Sequence, residues 1–181
     1  MRAEGAGRIA GDATPRLVQL IGDVHNVVIR GLPISSTVAL MEERLRPHLG
    51  AADLLTPAQC EGDSTGYRQH VLYAGPNSLF SVVALVWLPG QRTPVHDHLA
   101  WCVTGVHRGE EHEQRYRLAA RTAELVAAEK VVNRAGDVCG FSPPGDIHRV
   151  WNAGADKAIS IHLYGVDVVA RGSSVRRVYS P

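Results

Sequence analysis

Residues 80–101 read FSVVALVWLPGQRTPVHDHLAW, and two features of this stretch decide how the chain is read. The first is an apolar run, Leu79 to Leu88, rich in valine and stopped by Pro89-Gly90. A short run of β-branched and aromatic residues ended by a Pro-Gly turn describes a strand. The second is Pro94-Val95-His96-Asp97-His98. Residues two apart on an extended segment project from the same face, so both imidazoles point one way. Outward from here, Gln69 to Tyr73, Ala100 to His107, Glu113 to Leu118 and Ile159 to Val166 repeat the strand signal. Gly75-Pro76, Gly109, Gly136, Gly140 and Pro143-Pro144-Gly145 punctuate them. Short antiparallel strands at such spacing predict a mainly β fold, a sandwich or a barrel.

The β-rich part spans about 67–170, and the stretch about 14–60 reads differently. Thr14 followed by Pro15 is a cap-then-proline helix start, and Leu17, Leu20, Ile21, Val24, Val27 and Val28 recur at helical spacing. A second helix is expected from Ser35 or Ser36, with Val38, Met41 and Leu45 on one stripe and a stop near Pro47 and Gly50. Residues 1–181 contain no internal repeat, low-complexity segment or linker, which predicts a single domain with these helices outside the β part.

Composition narrows the function classes. The 19 basic and 18 acidic side chains leave a formal net charge of +1, without the clustered Lys and Arg that nucleic acid or an anionic membrane requires. Neither partner is expected. No run approaches the about 18 apolar residues of a membrane span, and Met1 to Thr14 is Gly- and Ala-rich with no apolar signal segment. A cytoplasmic location is the expectation. Cys60, Cys102 and Cys139 are an odd count without a C-x-x-C, which speaks against a disulfide framework and a zinc knuckle.

Six of the nine histidines lie between His96 and His162. A His-x-His pair alone describes cis metal ligands or hydrogen-bonded core histidines. Its surroundings separate the two: Gly90, five residues, His96, one, His98, three, Cys102, six, Gly109, and later Gly136, six, Pro143, one, Gly145, two, His148, three, Asn152. This pattern resembles the two motifs of the cupin superfamily, which implies a double-stranded antiparallel β-barrel (jelly roll) holding a metal. Cupins usually have Glu where Cys102 stands. His96, His98 and His148 then remain as ligands, all neutral nitrogens, with open positions for substrate and dioxygen. Such a site keeps the full charge of the ion and favours an anionic ligand such as a thiolate.

The stretch 80–101, Gly145-Asp146-Ile147-His148-Arg149-Val150 and Ser160-Ile161-His162-Leu163-Tyr164-Gly165 together resemble the thiol dioxygenases of the cysteine dioxygenase family, over roughly 15–180. The resemblance implies Fe(II) on His96, His98 and His148 and conversion of a small thiol and O2 to a sulfinic acid. It also implies a relay in which Ser160 orients His162 and His162 bonds Tyr164. Read without the resemblance, these three are the wet side of an ordinary strand. Cys102 is expected beside Tyr164, either joined to it through a thioether or as a small buried filler. Cys60 and Cys139 are read as structural.

Substrate choice follows from the same resemblance. Family members acting on cysteine carry an early-strand arginine, and those acting on 3-mercaptopropionate carry glutamine. In Tyr67-Arg68-Gln69-His70 the register selects Gln69; a slip of one residue would select Arg68 or His70 and flip the face. Gln69 cannot make the bidentate clamp of an arginine, which points to 3-mercaptopropionate or relaxed specificity. Arg177, with Arg176, is then a candidate for the substrate carboxylate, or part of a solvated basic tail. Trp101 and Trp151 are read as pocket walls or core, and Arg92, Asp97, His107 and His112 as surface or strand packing. The competing functions are a metal-binding, non-catalytic cupin sensor and a cupin enzyme of other chemistry, an isomerase or a carbon-substrate dioxygenase.

Overall fold

The helical first third and the β-rich remainder are both present in a computed structural model, which describes residues 7–75, 77 and 79–180. Residues 1–6 of the Gly- and Ala-rich stretch and Pro76 of the Gly75-Pro76 turn lie outside the described residues. Helix α1 (Pro15–Val28) begins as its sequence dictates: the Thr14 hydroxyl accepts from the Leu17 amide at 3.1 Å and Pro15 occupies the first turn. Its buried face is Leu17, Leu20, Ile21, Val24 and Val27. Helix α2 (Ile34–Leu45) starts one residue ahead of the expected serine, with Pro33 at the cap position and no side-chain cap.

Among the described residues there are eleven strands: β1 (Arg8–Ile9), β2 (Arg68–Ala74), β3 (Ser81–Trp87), β4 (Val95–His98), β5 (Cys102–Arg108), β6 (Glu110–Leu118), β7 (Leu125–Arg134), β8 (Val138–Phe141), β9 (His148–Trp151), β10 (Ala158–Tyr164) and β11 (Val175–Tyr179). A short helix, α3 (Val168–Arg171), precedes the last. They form two antiparallel sheets, ordered β1-β2-β3-β10-β5-β8 and β11-β4-β9-β6-β7. This is the mainly β, double-stranded architecture of a cupin. The five expected strand runs correspond to β2, β3, β5, β6 and β10. Strand β7 had no run of its own, because its Ala, Glu and Lys residues are largely exposed and it is held by pairing with β6 at the sheet edge.

The two faces of the first sheet divide the labour. Val82, Ala84 and Val86 of β3 and Ile159, Ile161 and Leu163 of β10 pack with α1 and α2 in one apolar layer. Burying such side chains contributes about 1.5–3 kcal/mol each, so the folding free energy is concentrated here. Helix α2 comes close enough because Gly105 has no side chain: a Cβ there would lie 2.7 Å from Leu49 and 2.9 Å from Leu45. The opposite faces, Val83, Leu85 and Trp87 of β3 and Ser160, His162 and Tyr164 of β10, line the interior between the sheets. That interior can carry polar groups since the helix-facing layer supplies the apolar burial.

Candidate metal centre

Strand alternation puts His96 and His98 on the inner face of β4, and the ladder sets His148 of β9 directly opposite His96. All three are buried, and one ring nitrogen from each lies within 4.8 Å of the others. Their ring centroids are 4.7 to 5.1 Å apart. Each Nδ1 has an acceptor: the Pro94 carbonyl at 3.0 Å for His96, Asp146 Oδ2 at 3.0 Å for His98 and Glu113 Oε1 at 2.8 Å for His148. A carbonyl can only accept, as can an ionised carboxylate, so each Nδ1 carries the proton and each Nε2 keeps its lone pair. Burial, followed by the neighbouring imidazoles, pushes His96 down to about 3, and burial also lowers His148. Three closely spaced imidazoles, each with Nδ1 bonded outward and Nε2 left for a ligand bond, suit a divalent transition metal with positions left open.

The carboxylates that fix these tautomers remain ionised. Burial pushes Glu113 up, but its bonds to His148 and to Arg115 (3.2 Å) hold it below the usual range. Asp146 is likewise raised by burial and lowered further by the side chain and backbone N–H of His98. Such outer bonds orient a ligand and raise its basicity. Glu113→Ala is expected to weaken metal binding about 10–100-fold, measured by competition with a chelator; unchanged affinity would mean that His148 holds its place without Glu113.

Across the interior, β10 presents the other expected residues. Ser160 Oγ lies 2.9 Å from His162 Nε2, and the Tyr164 hydroxyl 3.1 Å from His162 Nδ1. Burial raises Tyr164 well above its usual pKa and lowers His162 to about 3, so both are neutral. Tyr164 and Cys102 are direct partners across the β10–β5 ladder. His96, His98, His148, His162, Tyr164 and Gln69 all line one cavity of ≈ 50 Å³. At roughly 10–15 Å³ per water position, it admits a ligand of only a few heavy atoms.

Other expectations are corrected. Arg177 does not line the cavity: it donates to Asp97 Oδ2 at 3.1 Å, as do Arg176 and the Tyr179 hydroxyl. Asp97 sits between the two histidines and therefore faces away from the cavity. It is no surface residue, being 1% exposed. Trp101 packs into the helix-side core, and Trp151 lies under Arg149 and Lys130, so neither walls the cavity. That part falls to Trp87, whose indole donates to Ser160 Oγ at 3.1 Å and which stacks on Tyr67 at 4.7 Å. His107 packs inside, 3.2 Å from the Gly50 amide, and His112 lies by Glu110. Cys139 Sγ meets Thr104 Oγ1 at 3.2 Å. Sequence reasoning missed Asp146, Glu111 and Glu113; the signal was there, in acidic residues at two-residue spacing on a strand and two residues before His148.

Comparison with known proteins adds the following. The family described as cysteine dioxygenase type I matches residues 57–168. The chain is also similar to solved structures: a recombinant oxalate oxidase in complex with glycolate, 20% identical, covering 62% of this chain and 59% of that one, TM-score 0.49. A cupin 2 conserved barrel domain protein from Salinispora arenicola is 22% identical over 61% and 83% of the two chains, TM-score 0.44. A cupin superfamily protein from Desulfitobacterium hafniense is 14% identical over 66% and 95%, TM-score 0.47. The chain thus spans under two thirds of the oxalate oxidase. No described helix is long and apolar enough to cross a membrane.

Proposed function

Because the chain belongs to the cysteine dioxygenase type I family, we propose that it is an Fe(II)-dependent thiol dioxygenase that converts a small thiol carboxylate and O2 to the sulfinic acid in the cytoplasm. The observation that carries this reading is the shared cavity: three clustered imidazoles on one wall, His162 and Tyr164 of the Ser160, His162 and Tyr164 row on another. A bound ferrous ion would supply adjacent open positions and redox capacity, so that both oxygen atoms reach sulfur. His96, His98 and His148 would hold it through Nε2. The remaining work falls to the chain. The small volume of its cavity restricts the substrate to a short thiol. Tyr164, kept as a phenol by burial, offers a hydrogen-bonding hydroxyl at the reacting group. A non-catalytic sensor has no need of that hydroxyl.

Gln69 supplies neutral hydrogen bonds to the substrate carboxylate, and Ser173 and Ser174 line the same cavity. Arg177 has its guanidinium occupied by Asp97. The resemblance, in which a glutamine here accompanies 3-mercaptopropionate and an arginine accompanies cysteine, supports 3-mercaptopropionate as the substrate. Cys102 and Tyr164 are partners across the β10–β5 ladder, which supports a thioether between them as part of the same reading.

One experiment tests the whole: oxygen consumption by iron-loaded protein offered 3-mercaptopropionate, cysteine and cysteamine. Uptake with sulfinate formation is expected, fastest with 3-mercaptopropionate; no uptake with any thiol would reject the function. Intact mass of the active protein reads the thioether as the loss of about two hydrogens.

A further inference from the structure

The outer face of the second sheet carries cations that no described side chain neutralises. Along β9, His148 and Val150 turn toward the metal-facing cavity, so Arg149 and Trp151 alternate to the outside. The backbone of Arg92 is bridged to that of Trp151, which brings Arg92 alongside. Two open grooves meet here, of ≈ 370 Å³ and ≈ 410 Å³, and Arg92 and Arg149 line both. Such volumes lie in the range of small-molecule sites. Neither groove has a carboxylate among its described lining residues.

Charge is unbalanced at this point. Among the described residues, no ion pair or hydrogen bond engages the side chain of Arg92, Arg149 or Lys130, and Arg149 Nε is in addition buried from water. A buried N–H without an acceptor is unfavourable, and neighbouring guanidiniums repel each other. The Arg149 guanidinium lies over the Trp151 ring at 5.4 Å, and Lys130 Nζ stands 5.3 Å from the same ring. Stacking occupies the flat face of a guanidinium and leaves the N–H groups on its edge for an acceptor. Elsewhere on this sheet Asp97 is the acceptor for Arg176 and Arg177; Arg92 and Arg149 have no such carboxylate among the described residues.

We propose that Arg92 and Arg149 form a binding site for a phosphate group, free or carried by a small molecule, on the outer face of the barrel, with Lys130 adding charge at its margin. Phosphate fits these groups better than carboxylate does. It carries about −1.5 to −2 charge near pH 7 and three acceptor oxygens, so it pairs with two guanidiniums at once, whereas one guanidinium fork saturates a carboxylate. Thr93 relates this site to the metal centre: it lines both a groove and the inner cavity, and its hydroxyl accepts from the Val150 amide at 3.1 Å. The two sites lie back to back. A phosphate held by both arginines ties the segment that enters β4 to β9, the strands that carry the three histidines. The phosphate site itself requires neither a metal nor a thiol.

The test is a titration of the full chain with inorganic phosphate, glycerol 3-phosphate and acetate at constant ionic strength and about pH 7.5, where phosphate is mostly the dianion. The Nε–H resonance of Arg149 is followed, and Arg149→Gln identifies the signal. A saturable shift is expected with phosphate or its ester, with acetate binding at least about 10-fold more weakly. Arg92→Gln should weaken phosphate binding about 10-fold, since one of two charge-assisted forks is lost, and Arg92→Lys should recover part of it. Tighter binding of glycerol 3-phosphate identifies the ligand as a phosphomonoester, and tighter binding of inorganic phosphate identifies it as the free ion. No saturable shift, equal binding of acetate, or a phosphate response undiminished in Arg92→Gln would overturn the proposal. The last is the result that removal of metal from the inner cavity by phosphate would produce. Absence of thiol-dependent oxygen uptake would reject the proposed reaction and leave this result untouched.

Discussion

His148→Ala is expected to strip the protein of its metal and to bring thiol-dependent oxygen uptake down to the uncatalysed rate. His148 is the one ligand outside β4, and without it the set collapses to His96 and His98 on a single strand. The loss should exceed the about 10–100-fold that removal of an outer partner such as Glu113 costs. A second effect adds to it, because Glu113 loses the bond that most strongly opposes its burial. Arg115 still holds Oε2, but the buried Oε1 is left without a donor at a cost on the order of 1–3 kcal/mol, so the variant should also be less stable, by an amount that metal loss alone does not explain. Metal content after anaerobic loading and an oxygen electrode read the two consequences separately. Retention of stoichiometric metal or of thiol-dependent uptake would reject the ligand set.

Asp97→Ala is expected to cost about 3 kcal/mol, the lower end for breaking a buried ion pair, because Arg176 and Arg177 are partly exposed and can be rehydrated. At about 2–4 °C per kcal/mol for a chain of this size, the melting temperature should fall by about 6–12 °C. The loss is local in origin. Asp97 joins Arg176, Arg177 and Tyr179 of β11 to the middle of β4, and Ser173 to Val175, at the start of that segment, line the cavity. Amide exchange over 173–179 should accelerate more than in α1 or β3. Burial pushes Asp97 up, but Arg176, Tyr179 and Arg177 together bring it down to about 2. A carboxyl lowered on folding stabilises above its unfolded pKa and loses that contribution as pH falls through the folded one. The β11 contact should therefore hold at pH values above the ordinary 3.8 and fail as pH approaches about 2. A melting temperature unchanged in Asp97→Ala would show the pairing to be no better than solvation.

How far the sequence could be read depended on where each residue's partners lie. Strand β3 was legible because both faces are buried and its apolar run is continuous, and β10 because apolar and polar residues alternate along it. The ligand histidines were legible because their spacing along β4 is itself the geometry. Partners from distant strands were not. Nothing in Arg176-Arg177 announces a buried Asp97 some 80 residues earlier, and a basic pair near a chain end resembles a solvated tail or a substrate contact equally well. Glu111 and Glu113 read as ordinary acidic residues of a polar strand, since only the fold buries both and only the pairing of β6 with β9 brings His148 to Glu113. Trp87 was hidden inside the apolar run whose alternation sends every second residue to the cavity.

The division of the first sheet into an apolar, helix-facing side and a polar, cavity-facing side has an evolutionary consequence. The residues that keep the chain folded and the residues that select its chemistry occupy alternate positions of the same strands, Ile159, Ile161 and Leu163 on one side and Ser160, His162 and Tyr164 on the other. Substitutions can then accumulate in the cavity lining while the helix-side layer stays constant, so a descendant of this barrel can change what it reacts with and remain equally well folded.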